Sequence, residues 1–271
     1  ANEYDDEIAT AYRKNHPETK MVVGDITALD LENTFGVFSG KIDVIIGGPP
    51  CQGFSPKGQR KTIHDERNFL FKYYVKVVDL VRPRYFVMEN VPNLLTAENG
   101  YFQKEIIDLF NSMGYSLNTG ILNAADFGVP QNRRRAVIIG KRDGEAPALP
   151  VKAEQRVTIW DAIGDLAYLK SGEGQEEQQY ADLPVSDYAK SLRGNMYVLH
   201  NHVATKHSKL ALERLALIPP NCGKEVLPDE HLTKSIYSGT WSRMIKDDIS
   251  VTITTRFDTP SSGRFTHPYL N

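Results

Sequence analysis

The sequence predicts an α/β protein, a doubly wound and mostly parallel sheet accompanied by a smaller, loop-rich lobe. Three observations predict it. Short apolar runs of strand length, Met21-Val-Val23, Val44-Ile-Ile46, Tyr85-Phe-Val-Met88 and Ala136-Val-Ile-Ile139, alternate with helical periodicities over the first 140 residues. The run Val44–Ile46 is continuously apolar rather than alternating, as expected of a parallel strand buried on both faces. After Gly140 the composition shifts to Pro-, Gly- and amide-rich stretches with only short periodic pieces.

Residues 5–15 carry Asp5, Asp6 and Glu7 at the start and Arg13 and Lys14 at the end, the charge order a helix dipole favours. Asn15-His16-Pro17 stops that helix, because the residue before proline avoids helical angles. Met21–Val23 is a short strand running into the turn Gly24-Asp25-Ile26. Val44–Ile46 predicts a buried strand, ended by Gly47-Gly48-Pro49-Pro50, since two prolines remove two donors and neither helix nor ladder can continue. Cys51 therefore sits just past the carboxyl end of a strand, where open α/β sheets bind ligands.

From Cys51 to Asn68 the chain is polar and basic and too long for an ordinary connection, which marks a lid or binding loop. Leu70, Tyr73, Tyr74, Val77 and Leu80 recur at helical spacing, predicting a helix over 69–81 that Arg82-Pro83 ends. The strand Tyr85–Met88 delivers Glu89-Asn90-Val91-Pro92 to its carboxyl end. A helix over about 101–113 stops at Gly114, and strands follow near 115–122 and 136–139. Gln131-Asn-Arg-Arg-Arg135, the densest positive cluster, leads into the second of them.

In the remainder, Glu145–Pro150 is a linker, Ile159–Leu169 a short helix, Lys170–Gln179 a solvated acidic loop, and Ser250–Thr255 a short strand pattern. The expected division is a core over 1–145, a small lobe over 146–245 and a segment over 246–271 returning toward the core. His200, His202 and His207 lack a nearby Cys or acid to complete a usual ligand set and are expected to be solvated loop residues, so no metal is assigned.

The 271 residues carry a net charge of -2, so any polyanion surface must come from local basic clusters. Cys51 and Cys222 are too few for a disulfide framework. No apolar run of membrane-spanning length and no signal-like start occurs, which places the expected location in the cytoplasm without a membrane partner. The chain opens on Ala1 without an initiator Met and ends at Asn271, so both ends are read as cut.

Chemistry concentrates at three positions. Cys51 and Glu89 both lie at carboxyl ends of predicted strands and can share one crevice, and the arginine string adds cationic groups. A lone cysteine is commonly a small buried hydrophobe, but Cys51 stands in a Gly/Pro turn followed by bases rather than by more core. A thiol, a carboxylate and guanidinium groups around one cleft suit attack on the base of an anionic polymer.

Several segments, in order, resemble the motifs of the DNA (cytosine-5)-methyltransferases of bacterial type. Gly48-Pro-Pro-Cys-Gln-Gly-Phe-Ser55 is similar to the nucleophile loop, Glu89-Asn-Val91 to the base-clamping carboxylate motif, and Gln131-Asn-Arg-Arg-Arg135 to the Gln-x-Arg-x-Arg motif. Asn2-Glu3 resembles the segment whose acid holds the donor ribose, and Gly24-Asp25-Ile26 the adenine-contact turn. Thr252-Ile-Thr-Thr255 and Phe265-Thr-His-Pro268 resemble the stretch supporting the target-recognition lobe.

The resemblance implies an S-adenosylmethionine-dependent methyltransferase fold, with a target-recognition lobe that reads duplex DNA. It implies methyl transfer to carbon 5 of a flipped-out cytosine through a covalent Cys51 adduct, with S-adenosylhomocysteine as product and no metal. Cys51, Glu89, Arg133 and Arg135 are the implied catalytic residues. Glu3, Tyr4, Asp25, Ile26, Pro50 and Leu70 are the implied donor contacts, and Gln52, Ser55, Lys57, Arg60 and Arg67 the implied DNA contacts. The family's Phe-x-Gly-x-Gly donor loop would precede Asn2 and its closing motif would follow Asn271, so the donor site is expected to be completed by those termini or by a second chain. A bacterial restriction-modification setting, near the nucleoid, follows from the same resemblance. Methylation of RNA, or a non-catalytic DNA-binding partner subunit retaining the fold, are the alternatives.

Overall fold

A computed structural model describes residues 1–50, 69–234 and 239–269. The chain forms two compact units, one of Ala1–Leu122 with Arg134–Val151 and the other of Asn123–Arg133 with Lys152–Asn271.

In the first unit, β1 (Asn2–Glu3) pairs in parallel with β2 (Val22–Val23), and α1 (Asp6–Asn15) connects them. The carboxylate of Asp5 accepts from the amides of Glu7 and Ile8, which satisfies two of the orphan donors at the start of α1. After α2 (Leu31–Phe35) come β3 (Val44–Gly47), α3 (Phe69–Val81), β4 (Tyr85–Asn90), α4 (Asn93–Thr96), α5 (Tyr101–Ser112) and β5 (Tyr115–Asn123). The short β6 (Gln131–Asn132) belongs to the second unit, and β7 (Arg134–Arg142) returns to the first.

The main sheet has the order β3-β4-β7-β5. β3 and β4 run in parallel with Gly47 opposite Met88, whereas β7 is antiparallel to β4 with Glu89 opposite Val137. Alternation along the strands sends Phe86, Met88, Ala136 and Ile138, all at 0% exposure, to one face. There they meet Phe71, Tyr74 and Val78 of α3 and Ile106 and Phe110 of α5. Phe86 stacks on Phe110 with 4.3 Å between ring centroids.

β3 departs from the expectation of a buried strand. Ile45 packs on the core, but Val44 is 44% and Ile46 78% exposed. β3 is the end strand of its sheet, and its second face lines a cleft rather than a core. An apolar run reports only that a surface leaves water, not whether protein or ligand covers it.

The second unit contains α6 (Ile159–Ile163), β8 (Gly174–Gln179), α7 (Asp187–Arg193), β9 (Val198–Val203), α8 (Lys209–Ala216) and β10 (Ser250–Val251). The expected helix over 159–169 is confined to α6, opened by a capping box between Thr158 and Asp161. The expected loop over 170–179 is corrected as well: Gly174–Gln179 is a strand, antiparallel to β9 with Glu177 opposite His200. Its partner lies far along the chain, and backbone pairing overrides the poor strand propensity of Gln and Glu.

The strand expected over Ser250–Thr255 is reduced to Ser250–Val251, parallel to β6. Beyond it, Thr252 Oγ1 donates to the carbonyl of Asn132, and the amide of Ile253 donates to Gln131 Oε1. Leu215, Ile218, Leu227 and Trp241 form this unit's core. Beside them the buried Arg243 donates to the carbonyls of Ile218, Leu215 and His267. Among the described residues, no helix is long and apolar enough to cross a membrane.

Candidate active site

A cleft of about 920 Å³ opens in the first unit along the outer face of β3. Glu3, Tyr4, Ile26, Pro50 and Leu70 line it together with Val44 and Ile46. Five of the six residues expected to contact the donor therefore share one cavity. Glu3 Oε1 accepts from the amides of Tyr4 at 2.7 Å and Asp5 at 3.1 Å, so its own turn fixes the carboxylate. Asp25 is the exception and is absent from the lining. Its carboxylate accepts from the amide of Thr27 at 2.9 Å, and that bond holds it below the usual carboxylate range.

The Glu3 carboxylate beside aliphatic and aromatic surface fits a nucleoside: the acid can accept from two ribose hydroxyls while apolar walls cover a base. These residues thus fit the adenosine part of S-adenosylmethionine.

Gly48, Pro49 and Pro50 wall one end of the cleft. Two contacts hold this turn against the end of β4. The side-chain amide of Asn90, itself 6% exposed, donates to the carbonyl of Pro49 at 2.8 Å. A Cβ added at Gly48 would stand 3.3 Å from Glu89 Oε2, so the absent side chain lets the turn approach the carboxylate. Behind the turn, Tyr74 packs so closely that a Cβ at Gly47 would lie 2.5 Å from its Cε2. The hydroxyl of Tyr74 donates to the carbonyl of Val87, and burial pushes its pKa up, which keeps it protonated.

Glu89 faces Arg135 across the antiparallel pair of β4 and β7. Arg135 Nε stands 2.7 Å from Glu89 Oε1, and its Nη1 donates to the carbonyl of Arg134 at 2.8 Å. The guanidinium fork is thus held from both sides, and one carboxylate oxygen is aligned by it. The two side chains are 46% and 24% exposed, so the pair is open to a ligand.

Glu89 and Arg135 are thus brought together. Arg133 lies in the second unit, where its carbonyl accepts from the amide of Ala124. Cys51, Gln52, Ser55, Lys57, Arg60 and Arg67 lie outside the described residues. Among the described residues, no group of three or more His, Cys, Asp or Glu side chains could hold a metal ion. The histidine run is not a loop: His200 and His202 belong to β9, and His202 Nε2 lies 2.7 Å from the carbonyl of Ala167.

Sequence reasoning missed Tyr74 and Asn90 as site-shaping residues. Tyr74 looked like one more core position on α3. Asn90 adjoins Glu89, and the alternation of β4 would have placed it on the buried face, where an amide must find a partner.

Comparison with known proteins identifies the family. The family model described as C-5 cytosine-specific DNA methylase matches residues 1–257. The chain is 38% identical over 222 residues to type II methyltransferase M1.HphI of Haemophilus parahaemolyticus, covering 80% of this chain and 54% of that protein. It is 35% identical over 230 residues to type II methyltransferase M.DdeI of Desulfomicrobium norvegicum, covering 81% and 55%. It is 30% identical over 280 residues to type II methyltransferase M1.HgaI of Avibacterium volantium, covering 99% and 73%. The chain thus spans little more than half the length of the first two relatives.

Among solved structures, a protein described as a DNA modification methyltransferase encoded within an E. coli prophage superposes with a TM-score of 0.66 at 23% identity. That match covers 93% of this chain and 74% of that one and shows that the fold is the methyltransferase fold. With the family match running from Ala1 through both units, the chain belongs to the C-5 cytosine-specific DNA methylase family.

Proposed function

We propose that the protein transfers a methyl group from S-adenosylmethionine to carbon 5 of cytosine in duplex DNA. One observation carries this reading. The Gly48–Pro50 turn walls the nucleoside-shaped cleft and also abuts the Glu89 carboxylate, and the next residue in the chain is Cys51.

S-adenosylmethionine, when bound, supplies an electrophilic methyl on its sulfonium. Glu3 accepts from the ribose hydroxyls, while Tyr4, Ile26, Pro50 and Leu70 cover the adenine and exclude water. Cys51 adds as a thiolate to ring carbon 6, its electron pair forming the sulfur–carbon bond. Electrons of the carbon 5–carbon 6 double bond then move into the ring, and carbon 5 becomes nucleophilic.

Glu89 shares a proton with ring N3 and so neutralises the charge that develops there. Arg135 fixes the carboxylate through Oε1 and leaves Oε2 for the ring. Carbon 5 takes the methyl as the sulfur–methyl bond breaks, its electron pair staying on the sulfur of departing S-adenosylhomocysteine, and carbon 5 then loses its proton to a base. The electrons of that carbon–hydrogen bond restore the double bond and expel Cys51 as the thiolate. Free thiols titrate at about 8.5, so cationic neighbours must favour the thiolate, and the bases Lys57, Arg60 and Arg67 serve that end.

Flipping the base out of a duplex costs roughly a few kcal/mol. Gln52 and Ser55 contact DNA beside the vacated position, and Arg133 and Arg135 hold the cytosine carbonyl and its phosphate.

The test is transfer of labelled methyl from S-adenosylmethionine to mixed-sequence duplex DNA, with transfer RNA and the Cys51→Ser variant in parallel. Label on DNA with the unaltered protein only is the expected result. Label on transfer RNA alone would move the substrate to RNA, and undiminished labelling by Cys51→Ser would remove the nucleophile assignment.

A further inference from the structure

Asn2 carries no chemistry of its own, yet its side chain joins the two segments that form one side of the cleft. Its Nδ2 donates to the carbonyl of Val22 at 3.0 Å and to the carbonyl of Gly24 at 3.0 Å, which uses both amide hydrogens. The surrounding ladder is minimal. β1 and β2 are two residues each, closed by the amide of Val22 donating to Ala1 and the amide of Gly24 donating to Glu3. Such a short pair has little stability of its own. Its geometry nevertheless decides where Glu3, on one strand, stands relative to Asp25 and Ile26, which follow the other.

Gly24 has φ +141, an angle that L side chains rarely adopt, and the Asn2 bond seizes its carbonyl immediately before Asp25. The turn beyond is ordered by its own bonds, from the amide of Thr27 to Asp25 Oδ1 and from the amide of Ala28 to the Asp25 carbonyl. On the other strand, Glu3 is ordered by Tyr4 and Asp5. Each acid is thus fixed locally. Beyond the backbone ladder and the bond from the Ala1 amino group to the Lys20 carbonyl, the Asn2 side chain ties one turn to the other among the described residues.

We propose that Asn2 is a positioning residue for nucleoside binding: it holds the Glu3 turn and the Gly24–Ile26 turn at the separation that an adenosine spans. This rests on the donor cleft proposed above. Asn2 touches neither the methyl group nor cytosine, so its loss weakens binding of the nucleoside and leaves the transfer step intact.

The experiment measures binding of S-adenosylhomocysteine by calorimetry and initial rates of methyl transfer for the unaltered protein, Asn2→Ala, Asn2→Asp, Glu3→Gln and the double variant Asn2→Ala/Glu3→Gln. Asn2→Ala is expected to weaken binding about tenfold, the factor one net hydrogen bond supplies, and to raise the donor KM equally. Its kcat at saturating donor and its KM for DNA stay within about twofold, the scatter of an unperturbed step. Asn2→Asp keeps the shape but sets a carboxylate against two carbonyl oxygens, so it is expected to be the worse of the two.

Because Asn2 acts in part through Glu3, the double variant should lose less binding than the sum of the two single losses. Additive losses, or a fall in kcat with donor KM unchanged, would overturn the positioning role. If the unaltered protein fails to bind S-adenosylhomocysteine even with the donor loop and closing motif of a relative joined to its ends, the donor cleft itself is refuted and the role of Asn2 with it. If it binds and Asn2→Ala binds equally, only the role of Asn2 is lost.

Discussion

The side-chain amide of Asn90 donates to the carbonyl of Pro49 across 2.8 Å, fastening the turn before Cys51 to the strand end that carries Glu89. The bond joins neighbouring strand ends of one sheet, and Asn90 Oδ1 in turn accepts from the amide of Val91 at 2.9 Å. The turn that precedes Cys51 and the strand end that carries Glu89 are therefore coupled through one buried amide.

Replacing that amide should cost both stability and activity. Asn90→Ala leaves the Pro49 carbonyl without this donor, a loss of about 1–3 kcal/mol for a buried acceptor. The expected outcome is a fall in kcat of at least about tenfold, because a loosened turn misplaces the attacking group. Single-turnover methyl transfer checks it, and an unchanged rate with a lowered melting temperature would show the bond to be structural only.

Gly47 predicts a steric effect. Gly47→Ala drives a methyl to 2.5 Å from Tyr74 Cε2, and Tyr74 is buried, 8% exposed as a residue, with little room to retreat. Overpacking of this kind costs about 1–3 kcal/mol. Urea unfolding should register that loss for Gly47→Ala. Adding Tyr74→Leu to Gly47→Ala should cost less than Tyr74→Leu costs by itself in the unaltered background, since the clash is removed with the ring.

Arg243 predicts the largest loss of stability in the second unit. Its guanidinium, 3% exposed at the residue, donates to three carbonyls on two separate segments, and burial lowers its pKa. Arg243→Met removes these donors from buried carbonyls, at about 3 kcal/mol or more. Arg243→Lys should recover only part of this, because an ammonium cannot reproduce the planar fork. Thermal melting of the three proteins gives the order.

His267 predicts the pH dependence. Burial, and then the charge of Arg243, lower its pKa below the ordinary value of 6.5. The folded state therefore prefers the neutral ring, and the unfolded chain takes up the proton first as pH falls. Stability contributed by the neutral ring is intact above about 6.5 and declines as pH drops from there toward the folded-state pKa. Urea midpoints measured between pH 8 and pH 5 should fall more steeply for the unaltered protein than for His267→Gln. Equal slopes would mean that another group sets the acid limb.

The sequence by itself determined the local elements and the chemistry-bearing positions. Asp5 ahead of the acids and bases of α1, the helical spacing of Leu70, Tyr74 and Val77, and the apolar runs of β4 and β7 are signals carried within a few residues. The motifs around Cys51, Glu89 and Gln131–Arg135 are equally local, and they sufficed for the family.

Tertiary structure alone decided what depends on partners far along the chain. It turned Gly174–Gln179 into a strand by supplying β9, and it exposed Ile46 because β3 ends its sheet beside a cleft. It also put Arg135 against Glu89, Asn90 against Pro49 and Tyr74 against Gly47. Periodicity and propensity report which surface of a segment leaves water. Which surface meets which is set by register and strand order, and those exist only once the sheet has formed.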